Sequence, residues 1–143
     1  MIVPDLNLLL YAYDSTSPFH ARAARWWARC MNGVEPVALP RVVIFGFVRL
    51  ATSAHVFEAP MSVAEAAACV REWLDRSHVS EADGGAQHVE TVLHLLQKAG
   101  TAGNLVTDAQ IAAVTLEHRA RLHTNDTDFG RFPGLKTHNP LGA

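Results

Sequence analysis

The sequence predicts an α/β protein in which helices cover a short parallel sheet. Short apolar segments that favour strands alternate with longer segments that favour helices, and this alternation is typical of parallel sheets. The 143 residues fit one domain, 1–143. Apolar residues make up 49% of the chain and charged residues 18%, close to the composition of ordinary globular domains, which excludes an intrinsically disordered chain.

The first part of the chain contains two predicted strands and two predicted helices. Ile2–Asp5 is an apolar strand that ends in an acid, and the apolar run Asn7–Tyr13 follows as a helix. Phe19–Met31 has helical composition and ends at the stop signal Asn32-Gly33. Val37–Leu39, between two prolines, is the second strand.

The middle of the chain is predominantly helical. Arg41–Thr52 is nearly all apolar and predicts a buried helix, although its first residues also suit a strand. Ser62 and Glu65 form the sequence signature of a capping box, so a helix begins after Ser62 and ends near Leu74. Glu81–Gly85 reads as a loop. The helix Gln87–Ala99 follows and stops at a glycine.

In the last part of the chain, predicted helices and strands alternate again. A helix is predicted over about 106–119, and Arg121–Thr124 is the next strand. Asn125–Pro133 has the Asp and Gly content of a loop, and Leu135–His138 is a short final strand. Polar groups in such a fold form sites beyond the carboxyl ends of the parallel strands.

Charge and cysteine content restrict the class of protein. The net charge of −2 argues against a nucleic-acid binder of the strongly basic kind, but a local patch would not appear in this total. The N-terminus has no secretion signal, and no apolar run is long enough to cross a bilayer. Two cysteines are too few for a disulfide framework. We therefore expect a reduced, cytoplasmic protein with no membrane association.

Asp5 is the first acid in an unusual place. It is the last residue of the strand Ile2–Asp5 and precedes an apolar helix, where a solvated surface acid is not expected. It can serve either as the cap of that helix or as a site residue.

Asp108 lies on the apolar face of its helix. With about 100° per residue, Asp108, Ile111, Ala112 and Thr115 form the stripe that should meet the sheet. A carboxylate there is costly unless it is paired or binds a cation, although an acid in the first turn also suits the helix dipole. Glu117, on the opposite side of the helix, is expected to face solvent.

Asp126 and Asp128 follow the strand Arg121–Thr124. If that strand is parallel to the first, three segments bring carboxylates to one sheet edge: Asp5, Asp108, and Asp126 with Asp128. Clustered carboxylates with no Cys or His ligand favour Mg²⁺ or Mn²⁺, and such ions serve phosphodiester chemistry. The alternative for Asp126 is an ordinary turn-forming role.

These acids lie within three blocks of sequence that carry a family resemblance. The blocks are Val3-Pro4-Asp5-Leu6-Asn7-Leu8-Leu9, Gly103-Asn104-Leu105-Val106-Thr107-Asp108-Ala109 and Thr124-Asn125-Asp126-Thr127-Asp128-Phe129-Gly130-Arg131-Phe132. With them the sequence resembles PIN-domain ribonucleases, and among these the VapC-type toxins of bacterial toxin–antitoxin pairs. Order, spacing and length agree over essentially the whole chain.

The resemblance implies a three-layer α/β/α sandwich and an Mg²⁺- or Mn²⁺-dependent endoribonuclease. Such a toxin cleaves a structured tRNA or rRNA and thereby inhibits translation and growth. The resemblance also implies a homodimer and a cognate VapB-like antitoxin that blocks the acidic groove.

The resemblance also implies roles for individual residues. Asp5, Asp108 and Asp126 would be metal ligands, and Asp128 would be a further catalytic carboxylate beside them. The remaining candidates would orient ligands or substrate phosphate: Asn7, Thr124, Asn104 and Arg49.

One position departs from the family pattern. Many members carry a glutamate in the third helix, three residues before an arginine; here Gly46 replaces the acid and Arg49 is kept. The missing acid leaves open an alternative function, in which a PIN-like module binds RNA or a partner protein without cleaving RNA. A phosphatase of the haloacid-dehalogenase type is a further alternative. That chemistry requires a second Asp two residues after the first, where this chain has Asn7.

Overall fold

A computed structural model describes residues 1–142 of the chain. Within them the chain forms five strands and six α-helices. The strands are β1 Ile2–Pro4, β2 Val37–Pro40, β3 Val79–Ala82, β4 Arg121–His123 and β5 Thr137–His138. The helices are α1 Leu6–Tyr13, α2 His20–Asn32, α3 Arg41–Ala51, α4 Val63–Leu74, α5 His88–Ala99 and α6 Leu105–Glu117, and a 3₁₀ turn covers Thr127–Arg131.

All strand pairs are parallel, as predicted. The sheet order is β3-β2-β1-β4-β5, so the N-terminal strand lies at its centre. Strand β1 pairs with β4 through Ile2 opposite Arg121, Val3 opposite Leu122 and Pro4 opposite His123. In this register the residues that follow β1 and β4 leave the sheet side by side.

The prediction was wrong at β3. Glu81 and Ala82 were assigned to a loop, but they end a strand that pairs in parallel with β2. The strand lies at the edge of the sheet, and only Val79 and Ala82 are buried in it. A strand that is half solvated and four residues long has no apolar run by which to recognise it.

Helices cover the sheet in three α/β/α layers, which confirms the expected sandwich. Helix α1 packs against α2 and α3, and α5 packs against α6. An aromatic cluster joins four helices: Tyr13, Trp27, Phe47 and Trp73. The Trp73 indole Nε1–H donates to Tyr13 Oη at 2.8 Å, so this buried indole N–H is satisfied, whereas Trp27 Nε1 in the same cluster has no partner within residues 1–142.

Helix α4 begins with the predicted capping box. Ser62 Oγ accepts from the Glu65 amide at 3.1 Å, and Glu65 Oε1 accepts from the Ser62 amide at 3.2 Å. Both bonds satisfy amides that have no partner inside the helix. No helix within residues 1–142 combines the length and the apolar character that a bilayer crossing requires.

Replacement of Ser62 by Ala should lower the free energy of unfolding by about 1 kcal/mol, because the helix loses a side-chain cap. Urea denaturation measures the change. Ser80→Ala is the control, since Ser80 is an exposed serine in β3 whose side chain caps no helix. Equal stability of Ser62→Ala and Ser80→Ala would show that the box contributes nothing.

Candidate functional site at the carboxyl edge of the sheet

The register of β1 and β4 brings Asp5 beside Thr124. The Asp5 amide donates to the His123 carbonyl at 2.9 Å, which continues the strand pairing by one residue. The Thr124 hydroxyl donates to Asp5 Oδ2 at 2.8 Å. Asp5 occupies the N-cap position of α1, but its side chain forms no cap hydrogen bond. Asp5 therefore does not serve as a side-chain cap of α1, and its role as a site residue stays a prediction.

A relay of hydrogen bonds extends from Asp5 into the next turn. Thr124 Oγ1 also accepts from the Asp126 amide at 2.9 Å, and Asp126 Oδ1 accepts from the Asp128 amide at 2.8 Å. Asp126 thus has the turn role considered for it, since it caps the 3₁₀ turn. Its second oxygen, Oδ2, accepts none of these bonds. The turn role and a ligand role are compatible.

Helix α6 brings Asp108 to the same edge. Ile111, Ala112 and Thr115 on its face are fully buried, as the periodicity predicts, whereas Asp108 at the start of the helix is half-buried. Asp108 and Asp128 line one cleft of about 430 Å³ together with Asn104 and Arg131.

The carboxylates at this edge repel one another. Burial raises the pKa of Asp5 from its ordinary value of 3.8 to about 6; the Thr124 hydrogen bond lowers it and Asp126 raises it further. Burial also raises the pKa of Asp108 from 3.8 to about 6, with added repulsion from Asp5, Asp126 and Asp128. Two interacting carboxyl groups with raised pKa values, of which Asp108 lines a cleft, are typical of a functional site.

The donor set fits a hard divalent cation. Each candidate ligand is a carboxylate oxygen, and an added positive charge would offset the burial, and with it the repulsion, that raise both pKa values. Among residues 1–142, no three acidic, His or Cys side chains already stand in a closed metal-binding geometry. Mg²⁺ usually binds proteins through one or two carboxylates and keeps several of its waters.

The other predicted residues lie at varied distances from this cluster. Asn7 is exposed in the first turn of α1, two residues from Asp5. Asn104 is at the N-cap of α6 and forms no cap hydrogen bond, so its amide is available to the cleft. Arg49 is exposed in the last turn of α3, and none of its hydrogen bonds or ion pairs within residues 1–142 joins it to the carboxylates.

Gly46 packs directly against the residue that follows Asp5. A Cβ at this position would lie 2.7 Å from Leu6 Cδ2, and Leu6 is itself buried. The side chain of Leu6 therefore takes the space that an acid on α3 would need. An acid at position 46 requires Leu6 to move.

Two residues have roles that the sequence reasoning missed. Arg131 lines the acidic cleft. The spacing of Asp128 and Arg131 could have predicted this, because residues three apart align on one side of a 3₁₀ turn. Glu117 is not a solvated acid: its carboxylate accepts from the Gly85 amide at 3.2 Å and contacts His88 Nδ1 at 3.0 Å. It holds the loop between β3 and α5.

The PIN domain family matches residues 2–135, nearly the whole chain. The chain belongs to the PIN-domain family. Ribonuclease VapC33 of Mycobacterium tuberculosis is 48% identical to this PIN domain over 141 residues, covering 99% of each chain.

Solved structures agree with the fold of this PIN domain. VapC20 of Mycobacterium tuberculosis, described as a sarcin-ricin loop cleaving toxin, superposes with a TM-score of 0.69 at 19% identity and covers 95% of this chain and 99% of its own. VapBC2 of Rickettsia felis, bound to a promoter DNA fragment, superposes with a TM-score of 0.66 at 21% identity and covers 97% and 98%.

Replacement of Thr124 by Val should break the relay. The buried Asp5 carboxylate would lose a donor and the Asp126 amide an acceptor, at a cost of about 1–3 kcal/mol in unfolding free energy. Urea denaturation measures the loss. Thr124→Ser keeps the hydroxyl and should restore most of the stability. If Thr124→Val is as stable as wild type, the relay contributes nothing to stability.

Replacement of Asp108 by Asn should stabilise the metal-free protein above pH 6. Because folding raises this pKa from 3.8 to about 6, the stability that the protonated group provides below pH 3.8 is lost as pH rises through 6. Asn carries no charge at any of these values. In EDTA, the melting temperature of Asp108→Asn should exceed that of wild type by more at pH 8 than at pH 4. An equal difference at both pH values would contradict this electrostatic account.

Proposed function

We propose that this PIN domain is the RNA-cleaving toxin of a VapBC-type toxin–antitoxin pair. The observation that carries the proposal is the meeting of carboxylates from three segments at the carboxyl edge of the sheet. The identity of 48% to Ribonuclease VapC33 over nearly the full length supports ribonuclease chemistry at that edge.

Asp5, Asp108 and Asp126 would hold Mg²⁺ or Mn²⁺. When bound, the ion neutralises charge on the scissile phosphate and lowers the pKa of a coordinated water. Thr124 fixes Asp5 through the 2.8 Å hydrogen bond, so the buried carboxylate cannot rotate away from the edge. Asp126 is held by the hydrogen bond that its amide donates to Thr124 Oγ1, and its Oδ1 accepts from the Asp128 amide, so Oδ2 would be the ligand atom.

The remaining polar residues would act on the RNA. Asp128 borders the cleft beside Asp108 and would hold a water or accept a proton from it. Arg131 in the same cleft would bind a non-bridging phosphate oxygen, whose charge it complements. Asn7, Asn104 and Arg49 would contact the flanking phosphate or sugar.

The proposal includes the partners of a VapC toxin. The solved neighbour from Rickettsia felis is a complex of a toxin with its antitoxin, which supports a VapB-like antitoxin for this chain. The description of VapC20 as a sarcin-ricin loop cleaving toxin supports a structured RNA as substrate. The toxin would act on that RNA in the cytoplasm, as a homodimer when free of antitoxin.

The alternatives have less support. The PIN match over residues 2–135 leaves the phosphatase hypothesis without a structural basis. A non-cleaving module remains testable, because Gly46 stands where the family resemblance implies an acid and Leu6 fills the adjacent space.

Cleavage of total bacterial RNA by the antitoxin-free protein tests the proposal. With Mg²⁺ or Mn²⁺ we expect a discrete cut that leaves a 5′-phosphate and disappears in EDTA. Asp5→Asn and Asp108→Asn should each lower the rate by about a hundredfold or more, since each removes a ligand. Mapping of new 5′ ends identifies the target.

Asp75→Asn is the matched control, because Asp75 is an exposed aspartate at the end of α4, away from the cleft. It should cleave at the wild-type rate. Folded wild-type protein that cuts no RNA with either ion would support the non-cleaving module instead. Full activity in folded Asp5→Asn protein would overturn the assigned site.

A further inference from the structure

A second polar region lies at the opposite edge of the sheet, where the strands begin. The parallel register places Arg121 at the start of β4 and Lys136 immediately before β5. The Arg121 amide donates to the Met1 carbonyl at 3.0 Å, and the Leu122 amide donates to the Lys136 carbonyl at 2.9 Å. Two cationic residues from separate segments are thus held side by side by the backbone.

These residues line a cavity of about 490 Å³ together with Arg119. Three cationic side chains face one acid, Glu35, in a chain whose net charge is −2. Within residues 1–142, Arg119, Arg121 and Lys136 form no ion pair, whereas Arg41 and Arg76 do. The cavity therefore presents cations that form no ion pair with any carboxylate of residues 1–142.

The backbone at Arg119 adds a second indication. Arg119 has a φ of 51°, and it is the one non-glycine residue among those described with a positive φ. This left-handed conformation costs energy for a residue with a Cβ and is usually taken by Gly at the end of a helix. The long cationic side chain occupies a position that glycine would fill without strain.

An apolar cavity of about 390 Å³ adjoins the cationic one. It is bordered by Ile2, Trp26, Val34 and Pro140, and it shares Glu35, His123 and His138 with its neighbour. The Trp26 Nε1–H donates to His123 Nδ1 at 3.0 Å, so the neutral His123 ring carries its proton on Nε2. Burial and the nearby His138 lower the pKa of His123 to about 4, which keeps the ring neutral at pH 7.

We propose that the paired cavities bind a nucleotide, with its phosphate on Arg119, Arg121 and Lys136 and its base in the half bordered by Trp26. The guanidinium group of arginine donates paired hydrogen bonds to phosphate oxygens, and bases pack on aromatic and apolar side chains. Glu35 between the halves contacts the N-terminal ammonium through Oε2 at 3.4 Å, and its other oxygen can accept from an exocyclic amine or a ribose hydroxyl. Each volume is within the range of small-molecule sites.

The nucleotide can come from two sources. It is either free in solution or one unit of an RNA strand that passes this edge, and the second source rests on the proposed function. Both present the same base and phosphate to the cavities.

The test measures binding to the full-length Asp108→Asn protein in EDTA, so that no RNA is cut. Calorimetry compares AMP, a hexamer of oligoadenylate, adenosine and inorganic phosphate. AMP and the hexamer should bind more tightly than adenosine or phosphate alone. The double replacement Arg121→Gln with Lys136→Gln should weaken both about tenfold, because two charged phosphate contacts are lost.

Arg71→Gln with Lys98→Gln is the matched control. Both residues are exposed, lie on helices α4 and α5 and border neither cavity. This variant should bind as tightly as the parent. The indole N–H resonance of Trp26, assigned with Trp26→Phe, should shift on addition of ligand and report occupation of the apolar half.

The outcomes separate the sources. Binding of AMP that depends on Arg121 and Lys136 indicates a site for free nucleotides, and the same dependence for the hexamer alone indicates an RNA strand. Either result supports the proposal. It is overturned if neither ligand depends on the two cations, if inorganic phosphate binds as tightly as the ligand that does depend on them, or if the Trp26 signal stays unchanged.

The result is independent of the cleavage assay. Cation-dependent nucleotide binding by a protein that cuts no RNA would support this site and remove the proposed function. RNA cleavage by a protein with no such binding would leave the function intact and remove this site.

Discussion

The hydroxyl of Thr124 holds together the two central strand ends on which the acidic edge depends. It donates to Asp5 and accepts from the Asp126 amide, so one side chain orients one carboxylate and starts the turn that carries two others. The bond is possible only because Pro4 lies opposite His123 in the β1–β4 register. A shift by one residue would turn the following side chains to the other face of the sheet and separate this group.

The acidic edge is retained although it opposes folding. Asp5 is buried, and its pKa is raised by burial first and by Asp126 as well. Asp108 would be easier to accommodate as a neutral residue on the same helix face. The surrounding core provides the compensation, with Val3, Leu8, Ile111 and Leu122 fully buried next to these strand ends and helix starts. Strain of this kind at a cleft is expected where binding of a cation matters more than the stability of the free protein.

The sequence was sufficient for features that depend on local pattern. Apolar strands that alternate with helices predicted the parallel sheet, and Ser62 with Glu65 predicted the start of α4. Parallel strands end at one edge, so the positions of Asp5 and Asp126 followed from the strands that precede them. Features that depend on long-range pairing were missed. Strand β3 has little apolar pattern, and Glu117 is partly buried only because its helix packs near His88 and the loop at Gly85.

The same register produces both polar edges of the molecule. Parallel strands direct the residues that follow them, Asp5 and Thr124, to one edge, and the residues that begin or precede them, Arg121 and Lys136, to the other. The acidic and cationic residues are therefore separated by the length of the strands, which is only three paired residues between β1 and β4. At about 3.3 Å per residue this is a distance that a few nucleotides can span. If the acidic edge cleaves RNA as proposed, a neighbouring segment of the same strand would be long enough to reach the cationic edge.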